Sequence, residues 1–225
     1  MKAMILAAGR GERLRPLTDH TPKPLLQAGS KRLIEYLIEN LVVAGFNDIV
    51  INHAHLGGQF EPILGNGDRY QAHIEYSAET LGGLETAGGI IQALSLLGKD
   101  PFLVVNGDIW TDFPFTELAE FKLAEDKLCH LIMVNNPQHN PNGDFHLNLS
   151  NGLLQTDGDP KFTFSGIGIY RPEMFADYPV SKLPLKPLLV EAMQKRQVCG
   201  QHYQGQWSDI GTVERLNALA KQLEV

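Results

Sequence analysis

The sequence predicts an α/β fold: a mixed, mainly parallel sheet flanked by helices, with a small antiparallel lobe. Three observations predict it. Through the first hundred residues, short apolar runs alternate with segments of helical period, which implies parallel strands joined by right-handed crossovers. After Leu128 the pattern changes to strands separated by turn residues, as antiparallel hairpins require. No repeat, linker or low-complexity stretch interrupts the 225 residues, so one unit spanning 1–225 is expected.

The elements follow in order. Lys2–Ala8 reads as a buried strand around Met4, Ile5 and Leu6. Arg32–Ala44 places Leu33, Ile34, Leu37, Ile38, Leu41 and Val42 at helical spacing, with Gly45 as the C-cap. Asp48–Asn52 and His73–Ser77 read as strands, Thr86–Leu97 as a helix and Phe102–Val105 as a fully apolar strand. Further on, Leu131–Asn135, His146–Leu149, Leu153–Thr156 and Phe162–Tyr170 read as strands, with a turn at Ser150-Asn151-Gly152. Leu185–Arg196 is helical, Val198–Tyr203 a strand and Thr212–Leu223 a closing helix. In parallel sheets, ligands gather at the carboxyl ends of strands. The Gly9 loop, Asn52 and Asn106-Gly107-Asp108 all fall there.

Composition narrows the function. A hydrophobic fraction of 43% and a charged fraction of 20% fit an ordinary globular core of useful size. There is no run of eighteen apolar residues, so no membrane span is expected. The N-terminus enters a strand directly, without a signal-peptide pattern, so a cytoplasmic location is expected. A net charge of −7 argues against nucleic acid as a partner. Cys129 and Cys199 read as reduced structural thiols.

The most informative stretch runs from Met4 to Leu26, MILAAGRGERLRPLTDHTPKPLL. A buried strand empties into Gly9-Arg10-Gly11, where backbone N–H groups can approach phosphate oxygens. Arg10 to Lys23 carries four basic and two acidic residues, a local positive excess in an acidic chain. The P-loop string G-x-x-x-x-G-K-[ST] is absent, and the dinucleotide fingerprint would need glycine where Leu14 stands. Gly9-x-Gly11 by itself also reads as an ordinary turn. Lys23, between Pro22 and Pro24, is expected in extended backbone on a stiffened segment. That is a way to present a phosphate-binding cation.

Asp108 closes the strand FLVVNGD, and Asp209 sits in WSDIGT before the last helix. A polyphosphate site calls for Mg²⁺, which takes oxygen ligands and usually one or two carboxylates. Each aspartate alone also reads as a turn or cap residue; with the phosphate loop, the pair reads as metal ligands. Asn106 supports the site or binds substrate phosphate. His53 and His55 have H-x-H spacing but no further ligands nearby, and Asn52 or His53 is read beside the nucleotide or sugar.

The Met4–Leu26 stretch resembles the signature of sugar-1-phosphate nucleotidylyltransferases, L-A-A-G-x-G-x-R-[LM]-x-P-L-T with a following K-P, and every position is matched. The resemblance implies a Rossmann-like, glycosyltransferase-A-like domain that transfers a nucleotidyl group from UTP to a sugar-1-phosphate with Mg²⁺. By it, Leu6, Ala8, Gly9, Gly11, Glu12 and Arg13 hold the nucleotide, and Arg13, Lys23 and Asp108 are catalytic. Asp108 and Asp209 are implied as the metal pair. Glu79, Gly83, Glu85 and Gly88 would add base and ribose contacts, in a segment resembling the family's L-G-T-A-G. There Glu85 replaces the first glycine, and it also reads as a charge on a helix N-terminus. Thymidylyltransferases of this fold place a glutamine before that loop, and none stands here. NPQHNPNGDF and the LETAGG variant resemble a uridylyl-transferring branch that serves bacterial cell-wall recycling. By it, Asn52, Asn106, Asp144, Ser165 and Gly166 would bind the sugar phosphate. Residues 1–110 would form the nucleotide half and 111–225 the sugar half. Glucose-1-phosphate or mannose-1-phosphate with another NTP is the alternative, and a non-catalytic nucleotide-sugar-binding subunit a minor one. The β-helix of bifunctional relatives has no counterpart, so a monomer is expected.

Overall fold

The computed structural model describes residues 1–79 and 82–223; Thr80 and Leu81, within the expected base-binding segment, lie outside them. Strand β1 (Ala3–Leu6) runs into the glycine loop. A hairpin of β2 (Gln27–Ala28) and β3 (Lys31–Arg32) then leads to helix α1 (Leu33–Val43). Strand β4 (Asp48–His53), helix α2 (Phe60–Leu64), strand β5 (His73–Ala78), helix α3 (Glu85–Leu97) and strand β6 (Phe102–Asn106) complete the first half. The second half begins with β7 (Ile109–Thr111), helix α4 (Thr116–Ala119), β8 (Cys129–Val134), β9 (Phe145–Leu147) and β10 (Leu154–Gln155). It continues through β11 (Lys161–Tyr170), helix α5 (Leu185–Gln194), β12 (Val198–Tyr203), β13 (Trp207–Asp209) and helix α6 (Val213–Leu223).

Strands β6, β1, β4 and β5 lie side by side and pair in parallel. The chain builds β1, β4 and β5 outward in one direction, then places β6 on the other side of β1. That reversal is a topological switch point, where a crevice opens beyond the strand ends. It falls between the glycine loop after β1 and Asp108 after β6. The expected antiparallel hairpins are present, but they are part of the main sheet. Strand β11 pairs antiparallel with β6 and β8, and its first residues pair with β9. Strands β7 and β13, too short to show a period, form a separate antiparallel ladder that the sequence did not reveal.

Alternation along the strands covers both faces. Ile5, Ile49, Ile51 and Val105 pack with α1 and Phe60 on one side; Met4, Val50 and Val104 pack with α3 and α5 on the other. Strands buried on both faces read as continuous apolar runs, which is why β1, β4 and β6 were recognisable. A third cluster joins Leu14, Leu26 and Leu33 to Ile210, Leu216 and Leu219 of the C-terminal segment. It fixes the two ends of the basic loop against α6.

His130 on β8 is 4% exposed, between Phe121, Cys199 and Gln201. Burial pushes its pKa down to about 4. The folded value lies below the unfolded one of about 6.5, so the unfolded chain binds the proton more readily. Stability is therefore retained above pH 6.5 and lost as pH falls toward 4, by about 2 kcal/mol between pH 7 and pH 5. Urea unfolding of His130→Phe is expected to lack that increment of acid sensitivity. Cys129 and Cys199 are free, and burial pushes the Cys199 thiol up to about 11.

Candidate active site

The glycine loop takes its shape from two neighbours. Gly11 has φ +66°, and a Cβ there would lie 2.9 Å from Thr18 Cγ2 and 3.1 Å from Lys23 Cβ. Thr18 Oγ1 and Leu14 N donate to Gly11 O, closing the turn. Leu14 is buried, so the chain turns Arg13 out to solvent beside it.

Lys23 opens a one-turn 3-10 helix, Lys23–Leu25, in place of the extended backbone expected from the two prolines. Proline is tolerated in a helical first turn, where its missing N–H would have no partner, so Pro24 does not keep Lys23 extended. The lysine side chain is 9% exposed and its Nζ sits 2.5 Å from Asp108 Oδ2, while the aspartate side chain is 38% exposed. Strand β6 delivers Asp108 to this point. Gly107 N donates to Leu6 O, and a Cβ on Gly107 would stand 2.7 Å from that oxygen, so the N-G-D turn needs glycine to close on β1.

The β7–β13 ladder brings in the second carboxylate. Asp209 pairs with Ile109, and Ile210 N donates to Asp108 O at 2.8 Å. Asp209 Oδ1 accepts from Arg215 Nη1 at 2.5 Å and lies 2.9 Å from His139 Nε2. Each carboxylate is thus matched to a cation. Among the described residues no group of three or more His, Cys, Asp or Glu side chains is placed to hold a metal. Asp108 and Asp209 are oxygen ligands of the type a divalent cation shares with substrate phosphates, so the chemistry of these side chains fits such an ion.

A cavity of about 590 Å³ opens beyond β1, β4 and β6, walled by Leu6, Ala8, Asn52 and Asn106. Glu79, Gly83 and Glu85 close its far side. A smaller cavity of about 360 Å³ is lined by Gly11, Glu12, Arg13 and Gly211. Gly9, Arg10, Lys23 and Asp108 belong to both. The basic loop therefore separates two compartments that meet at the Lys23–Asp108 pair.

Asn52 and Glu79 are positioned by a buried knot. Asn52 Oδ1 accepts from Ala7 N, its Nδ2 donates to Glu79 Oε1, and Glu79 Oε2 accepts from Leu84 N. Gly89 leaves room for it: a Cβ there would meet Glu79 Oε1 at 2.4 Å. Both side chains thereby tie Ala7, at the root of the glycine loop, to Glu79 and Leu84. Glu85 stands at φ +59°, in the left-handed region where glycine carries no penalty, which accounts for glycine at that place in the motif it resembles.

Four of the residues expected to touch ligand have structural partners of their own. Gly88 lies on the buried face of α3, where a Cβ would be 2.1 Å from Ser181 O, and it lines neither cavity. Ser165 is 1% exposed; its hydroxyl donates to Ile132 O and accepts from Ile167 N, so its one donor is spent within the fold. Gly166, at φ +81°, forms the irregular step in β11 and leaves space for the Asn106 side chain. Asp144 Oδ2 accepts from Phe164 N, which pins the start of β9 to β11. Asn136 and Asn140 bond Thr163 and the Lys161 backbone, so most of this polar loop is self-supporting. His139 is the loop residue that reaches Asp209. It, Arg215 and the cavity-lining Lys182 carried no signal in the sequence. His53 packs on Phe60 and burial lowers its pKa.

A nucleotidyl transferase family model matches residues 2–145. The chain belongs to that family. It is 54% identical over 220 residues to the N-acetylmuramate alpha-1-phosphate uridylyltransferase of Neisseria meningitidis serogroup B, covering 96% of this chain and 95% of that protein. The enzyme of the same name from Caulobacter vibrioides is 31% identical, covering 93% and 91%. The solved structure of HddC from Yersinia pseudotuberculosis, complexed with GMP-PN, superposes with a TM-score of 0.80 at 19% identity and covers 99% of each chain. The two chains thus share the fold described above. No helix among the described residues is long and apolar enough to cross a membrane.

Proposed function

We propose that this nucleotidyl transferase moves the uridylyl group of UTP onto N-acetylmuramate α-1-phosphate, releasing pyrophosphate, in the cytoplasmic reuse of cell-wall sugars. One observation carries the reaction type. Two cavities meet at Lys23 and Asp108, which gives the entering sugar phosphate and the leaving pyrophosphate separate room on either side of a nucleotidyl group in transfer. Identity of 54% to the Neisseria enzyme along 96% of the chain supports the sugar and the base.

The sugar phosphate oxygen attacks the α-phosphorus in line as the bond to the β-phosphate oxygen breaks. The nucleophile is already an anion at neutral pH, so no general base is needed. Catalysis is positioning and charge neutralisation. Lys23 faces the charge that grows at the reacting phosphorus, and Arg13 with the Gly9–Gly11 amides receives the departing pyrophosphate. Asp108 and Asp209 would hold Mg²⁺, which supplies further neutralisation of phosphate charge when bound. Residues 1–110 serve mainly the nucleotide and residues 111–225 mainly the sugar, in one unit. The nine-stranded sheet, with strands from both halves, supports a single body.

The test is a matrix of UTP, GTP and dTTP against the 1-phosphates of N-acetylmuramate, N-acetylglucosamine, glucose and mannose, read by pyrophosphate release. UTP with N-acetylmuramate 1-phosphate is expected to exceed every other pair in kcat/KM by about tenfold or more. A preference for mannose 1-phosphate with GTP would overturn the assignment.

A further inference from the structure

Arg215, in the first turn of α6, takes no part in the chemistry described above. Its Nη1 donates to Asp209 Oδ1 and lies 3.3 Å from the His139 ring nitrogens, while its Nη2 makes no hydrogen bond among the described residues. That free edge faces Gly211. A Cβ built there would lie 2.6 Å from Arg215 Nη2 and 2.9 Å from Arg13 Nη2. Gly211 is itself wall of the smaller cavity, beside Arg13 and Gly11. Two guanidinium edges therefore converge on one point of that wall.

Like charges so close repel one another. The fold nonetheless holds them there from both sides. Leu14, next to Arg13, and Leu216, next to Arg215, are packed in the same apolar cluster. Arg13 has no carboxylate within ion-pair distance among the described residues, and Asp209 engages Arg215 only through Nη1. A polyphosphate between the two forks would turn the repulsion into attraction, because each guanidinium presents several donors in one plane. Gly211 keeps the gap clear of a side chain.

We propose that Arg215 is a second phosphate-positioning residue, which with Arg13 clamps the β- and γ-phosphates of the nucleotide and the pyrophosphate they become. Its bond to Asp209 sets the angle of the fork. The proposal rests on the reading above that the smaller cavity receives pyrophosphate.

The test uses inorganic pyrophosphate itself, titrated calorimetrically into the full chain in chelator-treated, metal-free buffer. Arg215→Gln is expected to weaken binding about tenfold or more, and Arg215→Lys to restore only part of it, since an ammonium lacks the planar fork. The KM for the sugar phosphate is expected to stay unchanged while that for UTP rises. Gly211→Ala, which retains both arginines and places a methyl between them, is expected to weaken pyrophosphate similarly; it keeps the test open should Arg215→Gln unfold. Wild-type affinity in a folded Arg215→Gln or in Gly211→Ala would overturn the clamp and leave Arg215 as the counter-ion of Asp209. Failure of the reading it rests on looks different. The wild-type protein would then neither bind pyrophosphate nor exchange labelled pyrophosphate into UTP.

Discussion

Asp108→Asn is expected to lower turnover by about 10²–10³ while the protein remains folded. Asparagine keeps the shape of the side chain and removes its charge. In the free protein that leaves Lys23 Nζ, on a side chain 9% exposed, without the carboxylate 2.5 Å away. The aspartate side is 38% exposed, so water reaches the pair and the loss of stability is modest, about 1–2 kcal/mol. Against an ordinary stability of roughly 5–15 kcal/mol, such a loss leaves nearly every molecule folded. A hundredfold fall in rate therefore cannot come from unfolding. It reports the missing negative charge where the two cavities meet. The rise in melting temperature on adding MgCl₂ with UTP is also expected to shrink, because an amide oxygen is a weaker ligand for a hard cation. The checks are pyrophosphate release at saturating substrates and thermal unfolding of the same preparation. Turnover within tenfold of wild type would remove Asp108 from the reacting centre.

The sequence made part of this site legible, and the limit has a physical cause. Strands β1, β4 and β6 are buried on both faces, so they appear as unbroken apolar runs whose ends mark the crevice. Helices α1, α3 and α5 show their buried stripe directly, and their bounds were read to within two residues. Asp108 and Asp209 could each be picked out beside a glycine. Their proximity could not, because it depends on the β7–β13 ladder between strands of three residues each. A pairing that short carries no period, and its partners stand about a hundred positions apart. Arg215 is similarly hidden, since a basic residue in the first turn of a surface helix has no pattern to distinguish it. The asparagines of the 136–144 loop are ambiguous in the opposite sense. Polar residues after a strand suggest ligand contacts, yet here Asn136 and Asn140 serve the loop's own backbone and Thr163. Hydrogen-bond demand within a tight loop and hydrogen-bond supply to a sugar select the same residue types.

Lys23→Met is expected to abolish at least as much activity as Asp108→Asn without weakening the fold. Methionine retains the unbranched stem against Gly11 and Thr18 and removes only the ammonium. The lysine is the buried member of the pair, so its charge carries the larger desolvation cost. Once it is gone, Asp108 remains open to water and keeps its charge without penalty. The melting temperature is therefore expected to hold or rise in Lys23→Met and to fall in Asp108→Asn, an asymmetry that follows from the two exposures alone. Kinetically, a charge that meets the reacting phosphorus stabilises the transition state more than the bound nucleotide. The fall of about 10²–10³ is accordingly expected in kcat, with the KM for UTP changing far less. A higher KM at unchanged kcat would make Lys23 a ground-state phosphate ligand and move the reacting centre away from the junction of the two cavities. Loss of kcat with intact stability, in a residue that lines both compartments, is the result that ties the junction to the chemistry.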